Sequence, residues 1–225
     1  MKKLLAQLVL TGLLGFNVMS VASASVELIT TDQRVSYSLG ILLANQLAGD
    51  FEQIDQGAFN AGFAAAYLGK KTQINITDAS QEVQQYQQKR ADAIAAENLT
   101  ESEAFLVQVS QQDGIKSTLS GLQYKVIKAG SGNSPESTDK VTVHYRGTLI
   151  NGVEFDSSYS RGKPASFTLN GVIPGWNEGL QLMQEGAVYE FYIHPDLAYG
   201  TRGAGEIIGA NSALVFKVEL LKVGD

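Results

Sequence analysis

The apolar residues of this chain change period part-way along it, and that change limits what it can fold into. Up to about residue 110 they recur at helical spacing. Val35, Leu39, Leu42 and Leu43 form one stripe, and Phe59, Phe63, Ala66 and Tyr67 form another. From Gly121 the period becomes two. Leu122, Tyr124 and Val126 alternate with polar neighbours, as do Val141, Val143 and Tyr145, and then Leu214, Phe216, Val218 and Leu220. Residues 166–169 and 188–193 also read as strands, and one helix, over about 175–183, interrupts them. No strand–helix–strand alternation suggests a parallel sheet. The expectation is an α+β chain: a C-terminal antiparallel sheet curled around one short helix, preceded by an all-helical region.

The helical half is subdivided. Asp32 is placed to cap a helix running to Leu47, and a second helix spans about 56–67, ended by Gly69-Lys70-Lys71. A third begins at Thr77-Asp78 and runs toward Val109. Gln81, Gln84, Gln85, Gln87 and Gln88 leave it only Val83, Tyr86 and Ile94 as a thin apolar stripe, so it reads as a connector polar nearly all round. Thr100 and Glu103 form a capping-box pattern that suggests a break near Asn98. Two short apolar helices make too small a core to stand alone. Pairing with a second copy would cover their spare faces; docking on the chain's own second half is the alternative.

The first residues have a separate purpose. Lys2 and Lys3 precede an apolar run, and Ala22-Ser23-Ala24 is a small-x-small processing pattern. This is the layout of a secretory signal peptide, with an uncleaved membrane anchor as the alternative. Its removal takes the formal charge from −6 to −8, and an acidic chain with scattered lysines offers no footprint for nucleic acid. With no cysteine, the fold depends on its core. The expected boundaries are a signal peptide over 1–24, a helical dimerisation region over 25–76, a connecting helix over 77–113 and a sheet domain over 114–225. An exported, soluble, periplasmic protein is expected, with no stable membrane span once the signal is removed; surface exposure or secretion is the other outcome.

The stretch from His144 to Tyr199 contains no evident nucleophile, metal cluster or phosphate loop. Gly200 to Gly205 has the glycines of a phosphate loop, but no lysine of that motif follows them and no strand-to-helix turn contains them. Neither His144 nor His194 reads as a metal ligand, and no cofactor is expected. A site here has to work by shape, burial and a few hydrogen bonds.

VHYRGTLINGVEFDSSYSRGKPASFTL, then GVIPGWNEGLQLM, then HPDLAYG and finally ALVFKVELL resemble the FK506-binding-protein class of peptidyl-prolyl isomerases. The resemblance covers about 114–223. The helical first half and the GLQYKVIKAGSG entry resemble the Mip-like exported branch, whose members dimerise through their N-terminal helices.

The resemblance implies that fold, that reaction, and a site that can be placed residue by residue. Trp176 matches the pocket floor, and Tyr145, Phe155, Phe167 and Phe216 its aromatic walls. Val172 and Ile173 match a lining segment whose Ile173 amide meets a substrate carbonyl. Asp156 matches the rim carboxylate and Tyr199 the hydroxyl donor. Ile207 and Ile208 match an apolar flap opposite. Implied partners are proline-containing unfolded or partly folded polypeptides, a second copy of the chain, and a macrolide inhibitor.

Each residue also has a plainer reading. Aromatics at strand spacing are commonly core, and Asp156 before Ser157-Ser158 suits a turn. Two departures from the family pattern stand out. Gly209-Ala210-Asn211 replaces a loop where many members carry proline, and Leu197 stands where an aromatic is often found. A holdase chaperone with isomerisation secondary, and a catalytically silent binding module, are the rival functions.

Overall fold

In a computed structural model, residues 26–224 are described. The expected signal peptide and its processing site lie outside them. They divide into two units, one through Lys71 and one from Thr72.

The first unit is two helices, α1 (Thr31–Ala48) and α2 (Gln56–Tyr67). The cap of α1 is Thr30, not Asp32. The Thr30 hydroxyl accepts from the Gln33 amide while the Gln33 side chain accepts from the Thr30 amide, closing a capping box. Asp32 instead occupies the first turn, where a negative charge suits the helix dipole. Asp55 caps α2 by accepting from the Ala58 amide at 2.8 Å. Neither helix buries a single residue. An apolar groove of about 380 Å³ lies between them, lined by Leu43, Leu47, Phe51, Ile54 and Phe59 among others.

The second unit opens with α3 (Ile76–Ser110), capped by Asn75. The helix is continuous, so the break expected near Asn98 is absent. Inside the helix the Thr100 hydroxyl donates back to the Ala96 carbonyl at 3.0 Å, leaving no cap for it to make. Its last turns are not polar all round either. Leu106 and Val109 are buried with Tyr192 and Ala213, and Phe105 packs beside them. The end of the connector therefore belongs to the packing of the sheet.

Seven strands follow: β1 (Ile115–Ser117), β2 (Gln123–Lys128), β3 (Lys140–Leu149), β4 (Glu154–Ser157), β5 (Ala165–Thr168), β6 (Val188–Ile193) and β7 (Leu214–Val223). The order is β1-β2-β6-β7-β3-β4, all antiparallel, with β5 also paired to β3. β5 pairs the first half of β3 and β4 the second, which divides that edge of the sheet. Alternate residues of the central strands face one core: Val141, Val143 and Tyr145 from β3, Phe191 and Ile193 from β6, and Leu214, Phe216, Val218 and Leu220 from β7.

The short helix α4 (Pro174–Gln181) lies against that face. Pro174 at its first position has its φ already set and no amide to leave unpaired. Gly179 brings the helix close to the sheet, since a Cβ there would stand 2.7 Å from the Phe191 ring. Trp176 sits in its first turn, Leu180 one turn on, and both are buried.

Candidate functional site

Strand pairing, α4 and one loop bring the site together. On β3, Tyr145 points to the core face opposite Val218, and the next inward position is Gly147, opposite Phe216. Gly147 is what lets two rings meet above it. A Cβ there would lie 2.7 Å from both Phe155 and Phe216. Those rings cross edge-to-face at 5.4 Å and 82°. The Trp176 indole stands nearly perpendicular to Tyr145 (5.1 Å, 89°), Phe167 (5.5 Å, 88°) and Phe216 (5.1 Å, 76°). Edge-to-face rings hold one another in place and are favoured by their quadrupoles.

These side chains surround a cavity of about 500 Å³ lined by Tyr145, Phe155, Asp156, Phe167, Gly171, Val172, Ile173, Trp176, Tyr199 and Phe216. Nine of the eleven residues singled out in the sequence are among them. Ile207 and Ile208 are not. Ile208 is buried in the main core and exchanges backbone bonds with Ala204, while Ile207 is half exposed.

Polar groups are sparse in this cavity. The Tyr145 hydroxyl donates to Asp156 Oδ2 and accepts from Arg161 Nη2 at 2.7 Å, while Arg161 Nη1 pairs with Asp156 Oδ1. The Arg161 guanidinium also lies over the Tyr145 ring, 5.5 Å from its centre. Burial pushes the Asp156 pKa upward, but hydrogen bonds from Tyr145 and Arg161, with the arginine charge, outweigh it. They hold the carboxyl below its ordinary value. Burial, and then the bond to Asp156, push the Tyr145 phenol up. The pair is thus a carboxylate and a neutral phenol at neutral pH.

Arg161 and Gly171 escaped the sequence reading. Arg161 follows Asp156 by five residues across a turn, and a serine-rich stretch with one arginine carries no period to mark it.

Three donors have no hydrogen bond among the described residues. The Ile173 amide makes none, the Tyr199 hydroxyl makes none, and the buried Trp176 Nε1 is unpartnered. Ile173 and Tyr199 line the cavity, and their unused donors fit a ligand that supplies carbonyl oxygens, whereas Trp176 Nε1 is buried within the fold. His144 is set apart. Its ring stacks on Tyr159 at 4.7 Å and its Nδ1 meets Ser158 Oγ at 2.9 Å.

Residues 132–221 match the family described as FKBP-type peptidyl-prolyl cis-trans isomerase, and 32–126 match the domain amino terminal to it. The peptidyl-prolyl cis-trans isomerase Mip of Coxiella burnetii is 42% identical over 230 residues, covering 99% of each chain. The FKBP-type 22 kDa peptidyl-prolyl cis-trans isomerase of Escherichia coli is 41% identical over 199 residues, covering 86% of this chain and 96% of its own. The crystal structure of FkpA from Escherichia coli superposes with a TM-score of 0.73 at 35% identity, covering 88% of this chain and 99% of that one.

Proposed function

Since this chain belongs to the FKBP-type peptidyl-prolyl cis-trans isomerases and is an isomerase of that kind, we propose that turnover takes place in the cavity floored by Trp176. The observation that carries this reading is the meeting of Tyr145, Phe155, Phe167, Trp176, Phe216 and the unused Ile173 and Tyr199 donors around one space.

The chemistry asks for little more. Rotation about an X–Pro bond has a barrier of about 18–20 kcal/mol, so exchange takes tens to hundreds of seconds unaided. A thousandfold acceleration requires about 4 kcal/mol. The twisted amide loses resonance and is less polar than the planar one. An apolar cavity therefore disfavours the planar ground state relative to the transition state. The prolyl ring would lie on the Trp176 indole. The Ile173 amide and Tyr199 hydroxyl would donate to the flanking carbonyls and hold the chain while the bond turns. No covalent step occurs and no proton is transferred. Asp156, ionised and held by Arg161, polarises the rim and orients Tyr145; it is not a general base.

The substrates on this reading are proline-containing unfolded or partly folded polypeptides, and a macrolide of similar shape would compete for the cavity. The processing pattern at Ala22-Ser23-Ala24 supports export to the periplasm. Among the described residues no helix is long and apolar enough to cross a membrane. The test is isomerisation of a short X–Pro peptide. The intact chain should accelerate it, and Trp176→Ala should lower kcat/KM by about 10- to 100-fold, the loss of roughly 1.4–2.7 kcal/mol of stabilisation. An unchanged rate in that variant places the chemistry elsewhere.

A further inference from the structure

The loop that carries Tyr199 is held from outside the cavity. Gly200, beside Tyr199, accepts through its carbonyl from the Asn211 amide at 2.8 Å. Asn211 itself has a φ of 58°, a left-handed conformation that asparagine tolerates but holds best when its surroundings fix it. What fixes it is α3. Ser102 Oγ donates to the Asn211 carbonyl at 2.9 Å and accepts from the Ala213 amide at 2.8 Å. Asn211 Nδ2 donates to the Ala95 carbonyl at 3.1 Å, and Asn98 Nδ2 donates to the Ala210 carbonyl at 2.8 Å. The Asn211 backbone is thus bound to the helix through its carbonyl and to the Tyr199 end of the loop through its amide.

The loop is internally braced as well. Ala204 and Ile208 exchange amide–carbonyl bonds at 2.8 and 3.2 Å. Gly209 leaves room for Asn98, because a Cβ there would come 2.9 Å from Asn98 Nδ2. Ser102 is buried, at 1% exposure, and its hydroxyl both donates and accepts in this seam. The Tyr199 side chain, by contrast, has no hydrogen bond of its own among the described residues. Its placement therefore depends on the backbone that carries it.

We propose that Ser102 and Asn98 are positioning residues for isomerisation: through Asn211 and Gly200, α3 sets where the Tyr199 hydroxyl stands at the cavity. The long helix is then part of the working site as well as a connector. This rests on the reading of Tyr199 as a donor to substrate, made above.

A double-mutant cycle in the full chain separates positioning from ordinary structural support. The kcat and KM for a short X–Pro peptide are measured for the native chain, Ser102→Ala, Tyr199→Phe and the double variant. Ser102→Ala should lower kcat/KM about three- to tenfold, mainly through kcat, because a misplaced donor costs transition-state contact more than ground-state binding. The same substitution should change almost nothing once Tyr199→Phe is present. Equal losses in both backgrounds, or full activity in Ser102→Ala, would overturn the proposal. If Ser102→Ala does not fold, Asn98→Ala, at a half-buried position, takes its place in the cycle under the same criteria. A fully active Tyr199→Phe removes the donor assignment and the positioning claim with it. A slow Tyr199→Phe beside a fully active Ser102→Ala removes the positioning claim alone.

Discussion

Asp156, Arg161 and Tyr145 form a closed three-way contact at the rim of the cavity, and its charge state fixes how the site responds to pH. The folded-state pKa of Asp156 is depressed. Its contribution to stability is therefore complete above the ordinary aspartate value of about 4 and is lost as pH falls through the depressed one. The folded-state pKa of Tyr145 is raised. Its contribution is complete below about 10 and is lost only as pH rises through the higher value. Since no proton moves in the reaction, kcat/KM should be flat between about pH 5 and pH 9. In Asp156→Asn, the part of the acid-side loss of stability that comes from this trio should disappear. A bell-shaped profile centred near neutrality would point to acid–base chemistry instead.

At the scale of elements, the site is a product of how strands and helices approach one another. Gly147 in the middle of β3 is the clearest case, with Phe155 and Phe216 both 2.7 Å from where a Cβ would be. Gly147→Ala has to displace at least one wall of the cavity. It should cost about 1–3 kcal/mol of stability, read by thermal or denaturant unfolding, together with a loss of peptide turnover. The central strands β2, β3 and β7 are legible because their apolar residues alternate, and Val188–Ile193 by its run of apolar and aromatic residues. The three- and four-residue strands β1 and β4 are too short to show a period. The continuity of α3 was not. Thr100 and Glu103 carry a capping-box pattern, yet a threonine inside a helix can bond the carbonyl four residues back, and spacing does not distinguish the two. The docking of Leu106 and Val109 was hidden for another reason. Phe105, Leu106, Val107 and Val109 crowd the last turns on more than one face, so they do not stand out as a stripe in a 35-residue helix whose earlier turns are mostly polar.

At the scale of the whole molecule, the two units differ in kind. The unit from Thr72 has a continuous core under its sheet, whereas α1 and α2 bury nothing within one chain. Val35, Leu39, Ile41, Leu42 and Phe63 all remain about half exposed or more. An acidic chain with so much uncovered apolar surface at one end fits association with a second copy through these helices. Size-exclusion chromatography with light scattering on residues 25–225 should give twice the chain mass, and Leu39→Glu with Leu42→Glu should halve it. A monomer in the native chain would contradict this reading.

Most of the cavity lining was legible through the family resemblance of its motifs, because aromatics at strand spacing read by themselves as core. Arg161 was not, since its role comes from a turn that returns it to Asp156. The seam between α3 and residues 209–213 joins positions more than a hundred residues apart, and no local pattern announces such a contact. It also bears on how the isomerase unit is cut for study. A truncation after Lys71 keeps Asn98 and Ser102, while one near Lys116 removes them.

On the proposed mechanism an aromatic cavity and a few donors carry the reaction without covalent chemistry. The most direct measurement is kcat/KM for a short X–Pro peptide with Trp176→Ala and Tyr199→Phe combined, in a chain shown by circular dichroism to remain folded. The catalysed rate should fall close to that of uncatalysed exchange. Full-rate turnover by that folded double variant would contradict the mechanism.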